Sequence, residues 1–314
     1  MPILSRRLLL GAAIALPLMS SAALAADKIL ASVPGLSFPF FVHMMNAFKA
    51  EIEKQGYEAI ESDGQVSSPK QTADVEAAIA QGVKGIVISP NEVDAMAPAL
   101  QQAVEANIPV VTVDRRVPSV DGILAHVGAD NVKGGEAQGQ LILKLFPDGA
   151  TIVNLQGQSG ASPAIDRNKG LHNVLDPVKD KYKIVFEQTA GFARDKGLSV
   201  TEAALSALSD PPKVIVAAND DMALGAMEAV KARGLSGIAI IGFDALPEAL
   251  AQVRDGGMTA TIEQFPGKQS SLGVQTLVSF LKDGTKPAEK VLLLTPEAVT
   301  KDNLNIAERL GEVK

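Results

Sequence analysis

The chain has 314 residues, with 29 Lys and Arg against 36 Asp and Glu, a formal net charge of −7 at pH 7. It has no cysteine, which excludes disulfides, thiol catalysis, thiolate metal sites and lipid attachment through an N-terminal Cys. An acidic chain has no electrostatic reason to bind nucleic acid, and 46% apolar content over this length supports two domains of ordinary size.

At the start, Arg6 and Arg7 precede a charge-free run from Leu8 to Ala26 in which Ala23-Leu24-Ala25 offers small residues. A basic start, an apolar centre and a small-residue end are the parts of a secretory signal. A membrane-anchoring helix is the competing reading, because the run approaches the roughly 18–20 residues of a span. Gly11, Pro17, Ser20 and Ser21 make it a poor permanent anchor, so residues 1–25 are expected to be a leader cleaved after Ala25. Ser5-Arg6-Arg7-Leu8-Leu9-Leu10 also resembles a twin-arginine export signal, with Gly11 where a basic residue is usual. The expectation is a soluble, exported globular protein.

Next, Leu30–Val33 reads as a strand. After a Pro/Gly break, Phe41, Met44, Met45, Phe48 and Ile52 fall at helical spacing, predicting a helix over 40–55. Phe38, Phe40 and Phe41 sit at the join. They are either ordinary core or, since open α/β sheets bind ligands where strands turn into helices, a wall for stacking a small ring. A sugar's C–H face is the obvious candidate. Strands follow at Glu58–Glu61, Gly85–Ser89 and Val110–Asp114, separated by helices near 68–81 and 92–106. The short extended run Leu124–Val127 leads into Gly128-Ala129-Asp130-Asn131, a turn-rich domain boundary. Beyond it, strands at Thr151–Leu155, Tyr182–Glu187, Val214–Ala217, Ile238–Gly242 and Thr259–Ile262 alternate with helices near 131–145, 164–175, 194–208, 220–233, 245–254 and 267–283. This alternation predicts an α/β protein of parallel sheets covered by helices, and two sheets fit the length better than one.

Several polar residues fall just past strands: Asp114 and Arg115, Asn219, Asp244 and Gln264. Parallel strands bring such ends to one edge. A carboxylate accepts hydroxyl hydrogen bonds, a guanidinium donates in a planar fork and an amide does both, so the mixture suits a neutral polyhydroxylated ligand. It suits phosphate poorly, which favours glycine-rich amide nests and positive charge. Duller readings stand beside each residue. Asn219 or Asp220, and Asp244, can be helix caps. Asp114 with Arg115 can be a surface ion pair, and Arg167 can face solvent or Asp166. His43, His126 and His172 are far apart, His43 lies opposite the apolar face of its helix and is expected to be solvated, and no nucleophile, P-loop or dinucleotide motif is present. Gly157-Gln158-Ser159-Gly160 reads as a simple turn.

Taken in order, Phe38-Pro39-Phe40-Phe41, Val113-Asp114-Arg115, Val127-Gly128-Ala129-Asp130-Asn131, Asn219-Asp220-Asp221-Met222-Ala223, Ile241-Gly242-Phe243-Asp244 and Ala260-Thr261-Ile262-Glu263-Gln264 closely resemble the periplasmic sugar-binding proteins of ABC importers, in the ribose-binding type I group. The resemblance runs from Lys28 to about Asn305. It implies two doubly wound parallel-sheet lobes joined by a three-crossover hinge, closing on one monosaccharide. The first lobe would comprise residues 26–129 and 265–291, and the second 130–264 and 292–314. Crossovers would fall near Gly128–Asn131, Glu263–Phe265 and Lys290–Leu294. Phe40, Phe41, Asp114 and Arg115 would then bind from the first lobe and Arg167, Phe192, Asn219 and Asp244 from the second, with Gln264 near a hinge and Phe192 stacking opposite Phe40 and Phe41.

Phe38 departs from the pattern, since ribose-binding members commonly carry Asn before the proline. The 128–131 and 243–250 segments look more like members that bind inositol or hexose-sized ligands. The resemblance implies a non-enzymatic periplasmic monomer without cofactor or metal that carries a pentose, hexose, polyol or cyclitol to a membrane permease. The alternative is presentation of the ligand to a chemoreceptor or sensor kinase. A sugar-sensing repressor would need a DNA-binding headpiece where this chain has an export signal. A glycosidase using Asp114 and Asp244 as its carboxylate pair is disfavoured by the accompanying arginines.

Overall fold

The computed structural model describes residues 26–314, so the expected leader at 1–25 lies outside the described residues. Among the described residues no helix is long and apolar enough to cross a membrane.

The chain opens with β1 (Lys28–Val33), whose last five residues are buried. Pro39, which has no N–H to lose, begins α1 (Pro39–Lys54), and the helix buries Phe40, Phe41, Met44, Met45, Phe48 and Ile52 on one face. β2 (Glu58–Asp63), α2 (Ser68–Ala80), β3 (Gly85–Ile88), α3 (Ala97–Glu105), β4 (Val110–Val113) and β5 (Ala125–Ala129) continue the alternation. These strands and β11 (Val291–Leu294) form one six-stranded sheet in the order β11-β5-β4-β3-β1-β2, parallel throughout. The strand order reverses between β1 and β3, so a crevice opens at their carboxyl ends.

The second half repeats the architecture. Its elements are α4 (Asn131–Leu145), β6 (Ala150–Gln156), α5 (Ser162–Leu175), β7 (Tyr182–Thr189), α6 (Arg194–Ala207), β8 (Val214–Ala217), α7 (Asp220–Ala232), β9 (Ala239–Ile241) and α8 (Pro247–Asp255). The sheet order is β7-β6-β8-β9, again parallel, with its reversal between β6 and β8. A parallel bridge from Ile241 to Ala260 extends it toward β10 (Thr261–Glu263), which pairs antiparallel with β12 (Glu297–Val299). α9 (Pro266–Asp283) returns to the first sheet and packs on α1, β3, β4 and β5. In this second lobe α4 and α5 cross at Gly135 and Gly170, where a Cβ on either would strike the facing backbone. That close crossing fixes the height of α5, which carries Arg167.

Among the described residues the chain thus passes between the sheets three times: from β5 to α4, from β10 to α9, and from β11 to β12. The third passage corrects the sequence reading. Val291–Leu294 pairs with β5 as an edge strand, so residues 292–294 belong to the first sheet and not to the second lobe. β12 and the short helical turns after it were not predicted. Two helices start later than expected, at Ala97 and Pro247, because Pro98 and Pro247 set the first turn of each. His43 is only partly exposed and not free in solvent: its Nε2 lies 3.1 Å from Glu308 Oε1, since the C-terminal tail folds back against α1.

Candidate functional site

The carboxyl ends of the two sheets face one another, and a cavity lies between them. It is lined by Phe38, Phe40, Phe41, Asp114 and Arg115 from one lobe and by Pro163, Arg167, Phe192, Asn219, Asp244 and Gln264 from the other side. All ten residues singled out from the sequence line this one space, and Pro163, in the first turn of α5, is the addition. The space between its walls is about 340 Å³ counting the part open to solvent, while a water centre can visit only about 30 Å³ of it, so the walls stand close. That is room for water-sized groups, and a ring enters only when the walls part.

Backbone geometry aims these side chains. Among the described residues, eight non-glycine residues have φ in the left-handed region, and Asp114 (63°), Phe192 (64°), Asp244 (108°), Ala245 (50°) and Phe265 (59°) lie in or beside the cavity. Each such conformation costs about 1–3 kcal/mol and persists only where neighbours enforce it. The neighbours are visible. Asp114 N–H donates to Val127 O at 2.9 Å, which pins it to β5. Asp220, fully buried behind the site, accepts from Thr261 Oγ1 at 2.7 Å and from Leu246 N at 2.8 Å, and Thr261 Oγ1 accepts from Ala245 N at 3.1 Å. Together they hold the loop that carries Asp244.

Asn219 fills both roles considered for it. Its Oδ1 accepts from Met222 N at 3.0 Å as the cap of α7, and its Nδ2 donates to Phe192 O at 3.1 Å while the side chain lines the cavity. Asp114 and Arg115 are not a surface pair: their side chains are 3% and 4% exposed, with Nε and Oδ2 3.9 Å apart. Arg167 faces neither solvent nor Asp166. Its Nε donates to Asn131 Oδ1 at 2.8 Å and its Nη1 to Ala218 O at 2.7 Å, and it lies 3.5 Å from Asp244 and 3.6 Å above the Phe243 ring. Asp166 pairs with Arg116 instead.

Phe38 and Phe40 each meet Phe41 edge-on, at 6.2 and 5.2 Å, forming one aromatic wall. The Arg115 guanidinium lies 5.2 Å from the Phe41 ring and 5.6 Å from that of Phe192, so rings from both lobes flank it. Its Nη1 donates to Asn91 O at 2.6 Å and to Gln158 Oε1 at 3.2 Å. Its Nε, fully buried, has no acceptor among the described residues. A buried donor without a partner costs stability until something supplies an acceptor.

Burial dominates the ionisation of the four charged groups. It lowers the Arg115 pKa to about 10, which leaves the group charged at neutral pH. It raises Asp114, opposed by Arg115 and Arg167, and raises Asp244 to about 7, opposed chiefly by Arg167. An acid whose folded pKa lies above its unfolded value is stabilising when protonated, and that contribution is lost as pH rises from about 4 to about 7. The ionised Asp244 carboxylate is therefore held at a cost. Among the described residues no cluster of metal-ligating side chains occurs. Asn131 and Phe243, which brace Arg167, lie inside the motifs quoted from the sequence but were not singled out there, and Asn91, which braces Arg115, lies in none of them.

The model of the periplasmic binding protein domain matches residues 29–286. The chain belongs to the periplasmic binding protein family. The ribose import binding protein RbsB of Escherichia coli (strain K12) is 36% identical over 264 residues, covering 84% of this chain and 88% of that protein. The galactofuranose-binding protein YtfQ of the same strain is 34% identical over 297 residues, 92% of each. The Caulobacter myo-inositol binding protein, solved with myo-inositol, matches with a TM-score of 0.88 at 41% identity, covering 91% of this chain and 97% of that one. This periplasmic binding protein is accordingly a solute-binding component of the ABC-importer class and not an enzyme.

Proposed function

We propose that the protein is exported by its leader, captures one neutral polyhydroxylated ring between its lobes as a monomer, and delivers it to a membrane permease. The observation that carries this reading is the balanced charge of the cavity. Asp114 with Arg115 and Asp244 with Arg167 are buried as two opposite-charge couples, one on each lobe, between aromatic rings. An anion or a cation would unbalance them, whereas a hydroxyl satisfies both members of a couple by donating to one and accepting from the other. Asp114 Oδ2 is met by Ser89 and Asp244 Oδ1 by Gln264 and Arg167, which leaves one oxygen of each carboxylate for ligand. The relatives named for ribose, galactofuranose and myo-inositol all take ligands of this neutral class, and the solved myo-inositol relative makes a cyclitol or hexose-sized ring the first choice.

Capture works by population shift. A ring held by one couple completes its hydrogen bonds only when the second lobe comes in, so it favours the closed form. Hydrogen bonds to charged groups contribute about 1.5–3 kcal/mol each. Four of them with two stacked faces exceed the roughly 8 kcal/mol of a micromolar complex, and the surplus offsets closure and ordering. A thermal-shift series on residues 26–314 with pentoses, hexoses, polyols, cyclitols and charged analogues tests the class. A ligand at 100 times its Kd stabilises by about 2.7 kcal/mol, so a true ligand stands out. Shifts from charged analogues alone would reject the reading.

A proton inventory follows from Asp244, whose pKa is raised to about 7. Hydroxyls donating to its carboxylate favour the ionised form and lower its pKa in the complex. Ligand uptake at pH 7 is expected to release protons, and affinity to weaken as pH falls below 7. Calorimetry in two buffers of different ionisation enthalpy measures this, and identical binding heats in both would contradict it.

A further inference from the structure

The segment Gly157–Asp166 begins with Gly157–Gly160, which reads from sequence as a simple turn, and from Gln158 onward it touches the first lobe. Gly157 itself packs within the second lobe: a Cβ there would strike the Phe192 ring, so only glycine leaves that ring its place on the cavity wall. Next, Gln158 Oε1 accepts from Arg115 Nη1 at 3.2 Å while its Nε2 donates to Asn91 Oδ1 at 3.2 Å. Gly160 O accepts from Val93 N at 3.0 Å, and Ser162 Oγ accepts from Arg116 N at 3.0 Å. Asp166 completes the series with a two-pronged pair to Arg116, one prong at 2.9 Å.

The receiving side is rigid. Asn91 N donates to Gln71 Oε1 at 2.8 Å and Asn91 Nδ2 to Ser68 Oγ at 2.9 Å, so α2 fixes the side chain that Gln158 meets. Gln158, Arg116 and Asp166 do not line the cavity. Arg115 does, and it joins the two systems: Nη1 is bound to Gln158, and the unpartnered Nε belongs to the same planar group. Whatever orients that plane from the cavity also orients the donor that Gln158 requires.

We propose that Gly157–Asp166 is a clasp, in which Arg116–Asp166 favours closure of the lobes independently of ligand and Gln158 is a positioning residue that couples closure to an occupied cavity through Arg115. The coupling rests on the reading that Arg115 faces the ligand; the Arg116–Asp166 half does not.

Because the chain has no cysteine, introduced thiols report unambiguously. Labels at Glu76→Cys on α2 and Lys169→Cys on α5 read the distance between lobes in residues 26–314, with myo-inositol as the probe ligand. Arg116→Ala is expected to shift the ligand-free distribution toward longer distances. Gln158→Ala is expected to weaken myo-inositol about tenfold through faster release, as befits one hydrogen bond to a charged group, with the thermal midpoint of the free protein unchanged. Gln158→Glu keeps the acceptor for Arg115 but sets a second acceptor against Asn91 Oδ1, so it is expected to recover only part of the loss. Release from Gln158→Ala at the parent rate, or a Gln158→Glu variant that binds no better than Gln158→Ala, would overturn the coupling. Should the parent itself fail to bind myo-inositol, the ligand choice fails separately. The label arm still decides the clasp then, and an Arg116→Ala distribution identical to the parent's would overturn it.

Discussion

Asp114→Asn is expected to weaken ligand binding by about 10- to 150-fold while leaving the fold intact. The range is the 1.5–3 kcal/mol of a hydrogen bond to a charged group, converted to affinity. Asparagine has nearly the same shape and is among the residues that tolerate positive φ, so it accepts the 63° that Asp114 adopts. Alanine would add backbone strain and blur the cause. The substitution also removes the charge that faces Arg115 at 3.9 Å, leaving the first-lobe couple a lone buried cation. Titration calorimetry of the parent and variant against the ligand chosen by thermal shift measures the loss, and circular dichroism checks the fold. Native affinity in Asp114→Asn would remove Asp114 from the site.

Arg167→Met carries the other large effect, on stability and binding together. Arg167 supplies the charge nearest Asp244 and spans Asn131, Ala218 and the Phe243 ring. Methionine keeps much of the apolar volume but leaves Asp244 buried without a counter-charge, and breaking a buried pair on one side costs about 3–5 kcal/mol. The cost depends on pH with a definite sign. Arg167 is the main influence holding the Asp244 pKa down, so its loss raises that pKa further above 7. The folded variant then holds its proton to higher pH than the unfolded chain does, and stability falls as pH rises. Thermal denaturation at pH 5 and pH 8 should show the variant's deficit growing with pH. Ligand binding should be lost at both. A deficit independent of pH would mean that Arg167 matters for packing alone.

The fold was legible because strands such as Val110–Val113 and Val214–Ala217 are short, apolar and punctuated, and parallel topology then decides where their ends go. Asp114, Asn219, Asp244 and Gln264 could be placed on one edge without knowing any contact. The partners of Arg167 could not, since Asn131 and Ala218 approach it from other elements and leave no periodic signature. Asp166 illustrates the same limit: adjacency in sequence suggested a pair with Arg167, but successive helix positions point apart and it meets Arg116 on the other lobe. Left-handed backbone at Asp114, Phe192 and Phe265 was hidden because no glycine marks it. β11 was mistaken for a hinge passage because as an edge strand it alternates exposed and half-buried residues, unlike the fully buried β3 and β4. The bond between His43 and Glu308 joins residues 265 positions apart, beyond the reach of local pattern.

Ligand capture in the interlobe cavity is tested most directly by solving the protein with the neutral ring that gives the largest thermal shift. The prediction is one ring between Phe41 and Phe192, with hydroxyls on the free oxygens of Asp114 and Asp244 and an acceptor facing Arg115 Nε. A ligand seated outside this cavity, or one inside it that leaves both carboxylates untouched, would contradict it.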